Sequence, residues 1–312
     1  LITAFRDVGV GVDTLAYYQE YNNVESGGFI RGSEPIFSFL FLIFKRVGAD
    51  FSTFIFFQAF FYYVSLSCFA SLAPKRSYSL YVLVVVCFFL FSFGLSGIRQ
   101  SLAISLFVLA LISLVNKNYW SYVFIGILAF GIHNSSIIPF FLAFIGYRIN
   151  VKEKVFILVL LFSPVFALID SSLLSYFQII DIKQMKAFNP DSEELLNVKV
   201  PAAIWLFTLI FSSLMFYGSR LGLVSWGSFS EKYFPAKSII MSGAFFACSF
   251  FWMATSVRLM DRVGFYFIPL LALFCAWILG SKRKKYGEWL VFLIVLFVLI
   301  LAFLGLNRGF LD

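Results

Sequence analysis

The sequence predicts an all-α, polytopic integral membrane protein of roughly ten to twelve transmembrane helices, with extracytoplasmic loops and short re-entrant or interfacial helices. Three observations carry that prediction. Charged residues make up 13% of the chain and hydrophobic ones 61%, where a soluble domain carries about 25% charged residues. Mean hydropathy is +0.93, and 44 of the 312 residues are Phe. Apolar runs close to the roughly 20 residues needed to cross a bilayer recur along the chain, and Lys and Arg gather in the short gaps between them.

Residues 1–34 are polar and read as a first extracytoplasmic loop; with Leu1 in place of Met, the expectation is that a first membrane helix precedes the loop. The run 35–47 opens "EPIFSFLFLIF" and closes on Lys45-Arg46. At about 13 residues it is too short to span and suits a re-entrant or interfacial helix. Membrane segments are expected at 51–72, 78–94, 97–115, 119–131, 135–147, 155–170, 200–217, 237–254, 263–280 and 288–306. Residues 1–312 thus form a single polytopic domain without internal repeat. Cys68, Cys87, Cys248 and Cys275 all fall inside apolar runs without C-x-x-C spacing, so they read as packing residues.

The basic clusters set orientation. Lys75-Arg76, Lys117, Arg148 with Lys152 and Lys154, Arg220 and "SKRKK" at 281–285 share the cytoplasmic side if 119–147 is a hairpin turning at "GIHNSS" and 35–47 does not cross. The opposite side then receives the first loop, the "GLSGIRQ" turn, the "GIHNSS" turn, the long amphipathic loop 170–199 and the "TSVRLMDRVG" turn. The net charge of +8 is scattered over such clusters and forms no basic stripe, which argues against a nucleic-acid partner.

Polar residues collect at that extracytoplasmic end: Arg6, Asp13, Glu25, Arg31 and Glu34 in the first loop, then Arg99-Gln100, His133-Asn134, and Arg258, Asp261 and Arg262. A helix-end Arg can snorkel to the interface. Arg99, however, stands on the side that the positive-inside bias disfavours, and a charge at membrane depth points to function. His133 is the sole histidine, so no histidine-based metal site exists and no metal is expected. Asp261 suits a local ion pair with Arg258 or Arg262 at a helix start, while Asp13 and Glu34 stand where solvated carboxylates are ordinary. No phosphate-binding Walker loop, dinucleotide fingerprint, H-E-x-x-H, G-x-S-x-G or D-x-D occurs. Chemistry here needs a substrate already activated, with no cofactor.

Several stretches, in order along nearly the whole chain, resemble the EpsG-type, Wzy-like bacterial polysaccharide polymerases. "FRDVGVGVDTLAYYQEY" is similar to the segment after that family's first helix, "SEPIF" to its E-P-G-F element with Ile36 in place of Gly, "GIRQSLAISLFVLAL" to its R-x-x-L-A helix, "GIHNSSIIPFFL" to its H-x-S helix, and "DRVGFYFIPLL" to its C-terminal Arg and aromatic helix. The resemblance implies a glycosyltransferase of the inner membrane with its site facing outward. It implies that undecaprenyl-diphosphate-linked oligosaccharides serve as donor and acceptor, that undecaprenyl diphosphate is released, and that a flippase and a chain-length regulator of the same pathway are partners besides the lipid bilayer. On that reading Arg99 stabilises the leaving diphosphate with help from Arg6, Arg258 and Arg262, and Glu34, Gln100 and Asn134 complete the substrate site. Asp13, His133 and Asp261, in that order of chemical plausibility, are the candidate bases, and Tyr17, Tyr18 and Tyr266 offer rings for sugar faces. A lipid-linked glycan flippase, an O-antigen ligase and a membrane O-acetyltransferase are the competing readings. The charges at one face, the modest length of loop 170–199 and the Arg-rich outer end favour the polymerase over each in turn.

Overall fold

A computed structural model describes residues 14–24, 34–72, 97–148, 234–253 and 259–279. Among them every regular element is helical: α1 (Thr14–Asn23), α2 (Pro35–Arg46), α3 (Phe51–Ala70), α4 (Ile98–Val115), α5 (Tyr119–Ile132), α6 (Ile137–Arg148), α7 (Phe234–Met253) and α8 (Leu259–Leu279). The expected segments 78–94, 155–170, 200–217 and 288–306, the loop 170–199 and the clusters at 75–76 and 281–285 lie outside the described residues.

Within the described residues, α3 and α4 are long and apolar enough to cross a membrane. The run 35–47 is a 12-residue helix, α2, about 18 Å long at 1.5 Å per residue, against a hydrocarbon core of about 30 Å. It does not span. The hairpin expected over 119–147 is present as α5 and α6, joined by a 3₁₀ turn at Asn134–Ser136.

Two expectations need correction. Residues 14–23, read as polar loop, form α1. Tyr17 and Tyr21, four apart, put one aromatic stripe on an otherwise polar helix, and it packs on Phe37, Phe41, Phe51 and Phe54. The Tyr21 hydroxyl also donates to the Ala49 carbonyl at 2.7 Å, which ties α1 to the turn between α2 and α3. The helix expected to begin at 263 starts four residues earlier, so that Leu259, Met260, Asp261 and Arg262 open α8 and Asp261 stands at a helix start. The first turn of a helix leaves its backbone N–H groups without helical partners, so polar residues are tolerated there.

Local sequence fixes the helix ends. Pro35 begins α2 in the first turn, where a missing N–H is harmless. Asp50 caps α3 through a 2.7 Å bond from the Thr53 N–H, and Asn118 caps α5 through Ser121. Gly48 turns the chain between α2 and α3 at a φ of 76°, a left-handed backbone that glycine adopts without strain.

The core is built around α4, which is apolar on all sides and buried along nearly its whole length, from Ile98 to Leu114. It packs on α3, α5, α6 and α8. Its serines cause no deficit: Ser101 and Ser105 donate back to Ile98 and Ser101 carbonyls at 2.8 Å each, and Gln58 of α3 donates to the Ser101 hydroxyl at 2.5 Å. The outer faces of α5 and α6 carry Trp120, Phe124, Ile127 and Phe141 well exposed, as a lipid-facing surface requires. Four helix starts meet at one end of this bundle: those of α2, α4, α6 and α8.

Candidate functional site

Glu34 precedes Pro35, and a residue before proline is pushed out of the helical region; its φ of −137° and ψ of 67° follow. As the N-cap of α2 its carboxylate would ordinarily accept from the helix's first N–H groups, but it makes no capping bond. It turns inward, 7% exposed. Its Oε2 takes a short ion pair from Arg99 Nη1, and its Oε1 lies 2.8 Å from His133 Nδ1. One carboxylate thus joins α2, α4 and the α5–α6 turn.

Arg99 stands one residue into α4. Its Nη1 meets Glu34 and its Nε donates to the Tyr17 hydroxyl at 2.8 Å, while the guanidinium carbon sits 5.1 Å from the centre of the Tyr17 ring. The fork geometry explains why this position holds Arg: two partners on different helices are met by two N–H directions of one rigid plane. Burial disfavours the Glu34 charge, yet the His133 hydrogen bond and the Arg99 charge outweigh it and hold the carboxyl below its ordinary 4.5.

His133 is placed by the turn. Extended backbone at φ −153°, ψ 111° stops α5, and Asn134, Ser135 and Ser136 continue as one 3₁₀ turn, residue types whose side chains compete with helical bonding. Pro139 then falls in the first turn of α6, where its lost N–H costs nothing. Because an ionised Glu34 only accepts, His133 Nδ1 carries the hydrogen, and in the neutral ring Nε2 keeps its lone pair. That Nε2 is buried without a hydrogen-bond partner among the described residues.

The close approach of α2 to α5 has a specific cause. A Cβ on Gly131 would stand 2.5 Å from Ile36 Cδ1. Ile36, two residues after Glu34, lies against the glycine two residues before His133, so this chain's Ile fills the space that Gly131 leaves. On the far side Gln100 Nε2 donates to the Arg262 carbonyl at 2.7 Å and joins the starts of α4 and α8. Arg262 itself is exposed. One turn further along α8, Tyr266 is fully buried with its ring against Phe107, its hydroxyl beside that of Ser135 as a hydrogen-bond neighbour and within the field of Glu34.

The structure therefore brings together Tyr17, Glu34, Arg99, Gln100, His133, Asn134, Arg262 and Tyr266 from the expected set. Arg6, Asp13 and Arg258 lie outside the described residues, and Asp261 falls at the third position of α8. Glu34 is not the solvated loop carboxylate expected of it, because Arg99 and His133 hold it inside. The rings of Tyr17 and Tyr266 are buried, at 4% and 0% exposure, which leaves no face for a sugar to stack on. Tyr18 is the exposed ring of the three, edge-on to Phe51. Sequence reading missed Ser135 and Ser136; the signal was present as two hydroxyls beside the lone His at membrane depth. Among the described residues no three His, Cys, Asp or Glu side chains gather as a metal site.

A multi-helix membrane protein with a buried carboxylate–histidine–arginine cluster at one end of its bundle is the class that this fold and site define. The chain belongs to the EpsG family, whose family model matches residues 1–310. Membership points to a polymerase role in polysaccharide biosynthesis. Comparison with curated proteins and with solved structures gives no match.

Proposed function

We propose that the protein is a polysaccharide polymerase of the inner membrane that joins undecaprenyl-diphosphate-linked repeat units at the outward-facing end of its bundle. The observation that carries this reading is the Glu34 carboxylate bridging Arg99 and His133 so that His133 Nε2 stays buried with its lone pair uncommitted. In the reaction the acceptor hydroxyl attacks the anomeric carbon of the donor glycan. The C–O bond to the diphosphate breaks, His133 Nε2 takes the hydroxyl proton, and undecaprenyl diphosphate leaves with the electron pair. Glu34 holds the ring in the right tautomer and stabilises the imidazolium that forms, as an orienting carboxylate does for other histidine bases. Arg99, with Nη1 and Nε directed at Glu34 and Tyr17, acts mainly as the positioning residue of this cluster.

Four helix starts at the same end supply partial positive charge suited to an anionic leaving group. Exposed Arg262 adds a full charge there, and Arg6 and Arg258 are its expected helpers. The flippase reading fits less well, because transport gives no task to a histidine held in one tautomer. The test is purified protein supplied with the lipid-linked repeat unit, with product length read on a gel. Wild type should give a ladder, and His133→Gln should slow single turnover by about 10²–10⁴-fold with donor affinity intact. Unchanged turnover in His133→Gln together with a dead Asp13→Asn would move the base to Asp13 and remove this reading of the cluster.

A further inference from the structure

Beside the ion-paired cluster lies a group of polar atoms that the chemistry above does not use. Asn134 Oδ1, Ser136 Oγ and His133 Nε2 are buried with no hydrogen-bond partner among the described residues, and the buried Ser135 and Tyr266 hydroxyls have none but each other. Ser136 and Tyr266 are 0% exposed. Asn134, Ser135 and Ser136 belong to the 3₁₀ turn, and α8, which carries Tyr266, packs directly on that turn. A buried hydroxyl or amide left unbonded costs free energy, so so many in one place is not a device for stability.

Their chemistry selects a ligand. His133 Nε2 and Asn134 Oδ1 only accept hydrogen bonds, while the three hydroxyls both donate and accept. A diphosphate oxygen accepts and has no hydrogen to give at neutral pH, so it cannot satisfy the two acceptors. A cation would satisfy the acceptors but not the hydroxyl donors. A neutral molecule with several O–H groups satisfies both kinds at once. We propose that the turn 133–136 and Tyr266 form a subsite for a carbohydrate ring, and that this ring is the acceptor sugar, whose attacking hydroxyl meets His133 Nε2 while Asn134, Ser135, Ser136 and Tyr266 bind its neighbours. The inference rests on the polymerase reading for the word acceptor. The carbohydrate site itself rests on the unpaired atoms.

The test uses full-length protein in nanodiscs and an acceptor analogue, the repeat-unit oligosaccharide on a short alkyl chain without diphosphate, which can accept but not donate. Tyr266→Phe and Ser136→Ala should each weaken analogue binding by about tenfold, the effect of one lost hydrogen bond, and raise its KM by a similar factor with donor affinity unchanged. Thermal unfolding of ligand-free Ser136→Ala should be unchanged or shifted upward, because it removes a hydroxyl that has no partner, while Tyr266→Phe gives up only its contact with Ser135. Saturation-transfer NMR reads binding without turnover. If wild type binds the analogue and the variants do not, yet nothing is polymerised, the subsite stands and the polymerase reading falls. Variants that bind the analogue as wild type does, variants that lose donor and acceptor affinity together, or a Ser136→Ala protein that unfolds at lower temperature would each overturn the subsite and leave a turn hydrated by water only.

Discussion

Breaking the Glu34–Arg99 pair from both sides at once should cost well short of the sum of breaking it from each side alone. The two side chains are 9% and 22% exposed, so each would be left as a shielded, uncompensated charge. Two unit charges about 4 Å apart attract by about 4 kcal/mol at an effective dielectric near 20. Removing one partner of a buried pair costs about 3–5 kcal/mol. With Arg99 partly wetted, the lower end applies, about 3 kcal/mol for Glu34→Gln or for Arg99→Met. The double variant strands neither charge, so its cost should fall short of the sum by a coupling of about 2–3 kcal/mol. For a chain of this size that corresponds to roughly 4–12 °C in the unfolding midpoint. The assay is thermal unfolding in nanodiscs followed by tryptophan fluorescence, with single-turnover glycan transfer measured on the same preparations. The double variant should be about as stable as either single variant instead of losing twice as much, and its turnover should stay low, since His133 has lost its orienting carboxylate. Midpoint shifts that add within about 2 °C would refute the pairing argument. Full activity in Glu34→Gln would refute the role given to Glu34.

Two further expectations follow from the same contacts. Gly131→Val should push Ile36 away, move Glu34 from His133 and lower turnover at least tenfold, while adding Ile36→Gly should restore much of it; a double variant no better than the single one would show that this helix contact does not set the cluster. Glu34 is held below its ordinary carboxyl value in the fold, so its stabilisation is complete above about pH 4.5 and is lost as pH falls through the depressed value. Acid unfolding midpoints below about pH 4.5 should therefore fall more gently in Glu34→Gln than in wild type, and parallel curves would contradict this.

Much of the architecture was legible locally. The composition dictates a membrane protein because a chain this apolar has no other solvent to face. The caps at Asp50 and Asn118, proline at the head of α2 and the Asn-Ser-Ser break between α5 and α6 act over three or four residues, and the sequence displays them openly. The short length of 35–47 and the hairpin over 119–147 follow from the same local patterns. The α1 helix was illegible for the opposite reason: its own ten residues are polar, and it is stabilised by laying two tyrosines on phenylalanines that belong to α2 and α3.

The site shows the same division. Sequence alone named Glu34, Arg99 and His133 as residues of interest and gave the family through the stretches around them. It could not pair them, because Glu34 lies 65 residues from Arg99 and 99 from His133, and no periodicity within one helix encodes a contact over such spans. Only the tertiary structure, through the fit of Ile36 on Gly131 and the shared end of four helices, decided that the three form one cluster. That packing turned a carboxylate expected in solvent into the buried group that fixes the histidine's tautomer, because Arg99 and His133 together outweigh the cost of taking its charge out of water.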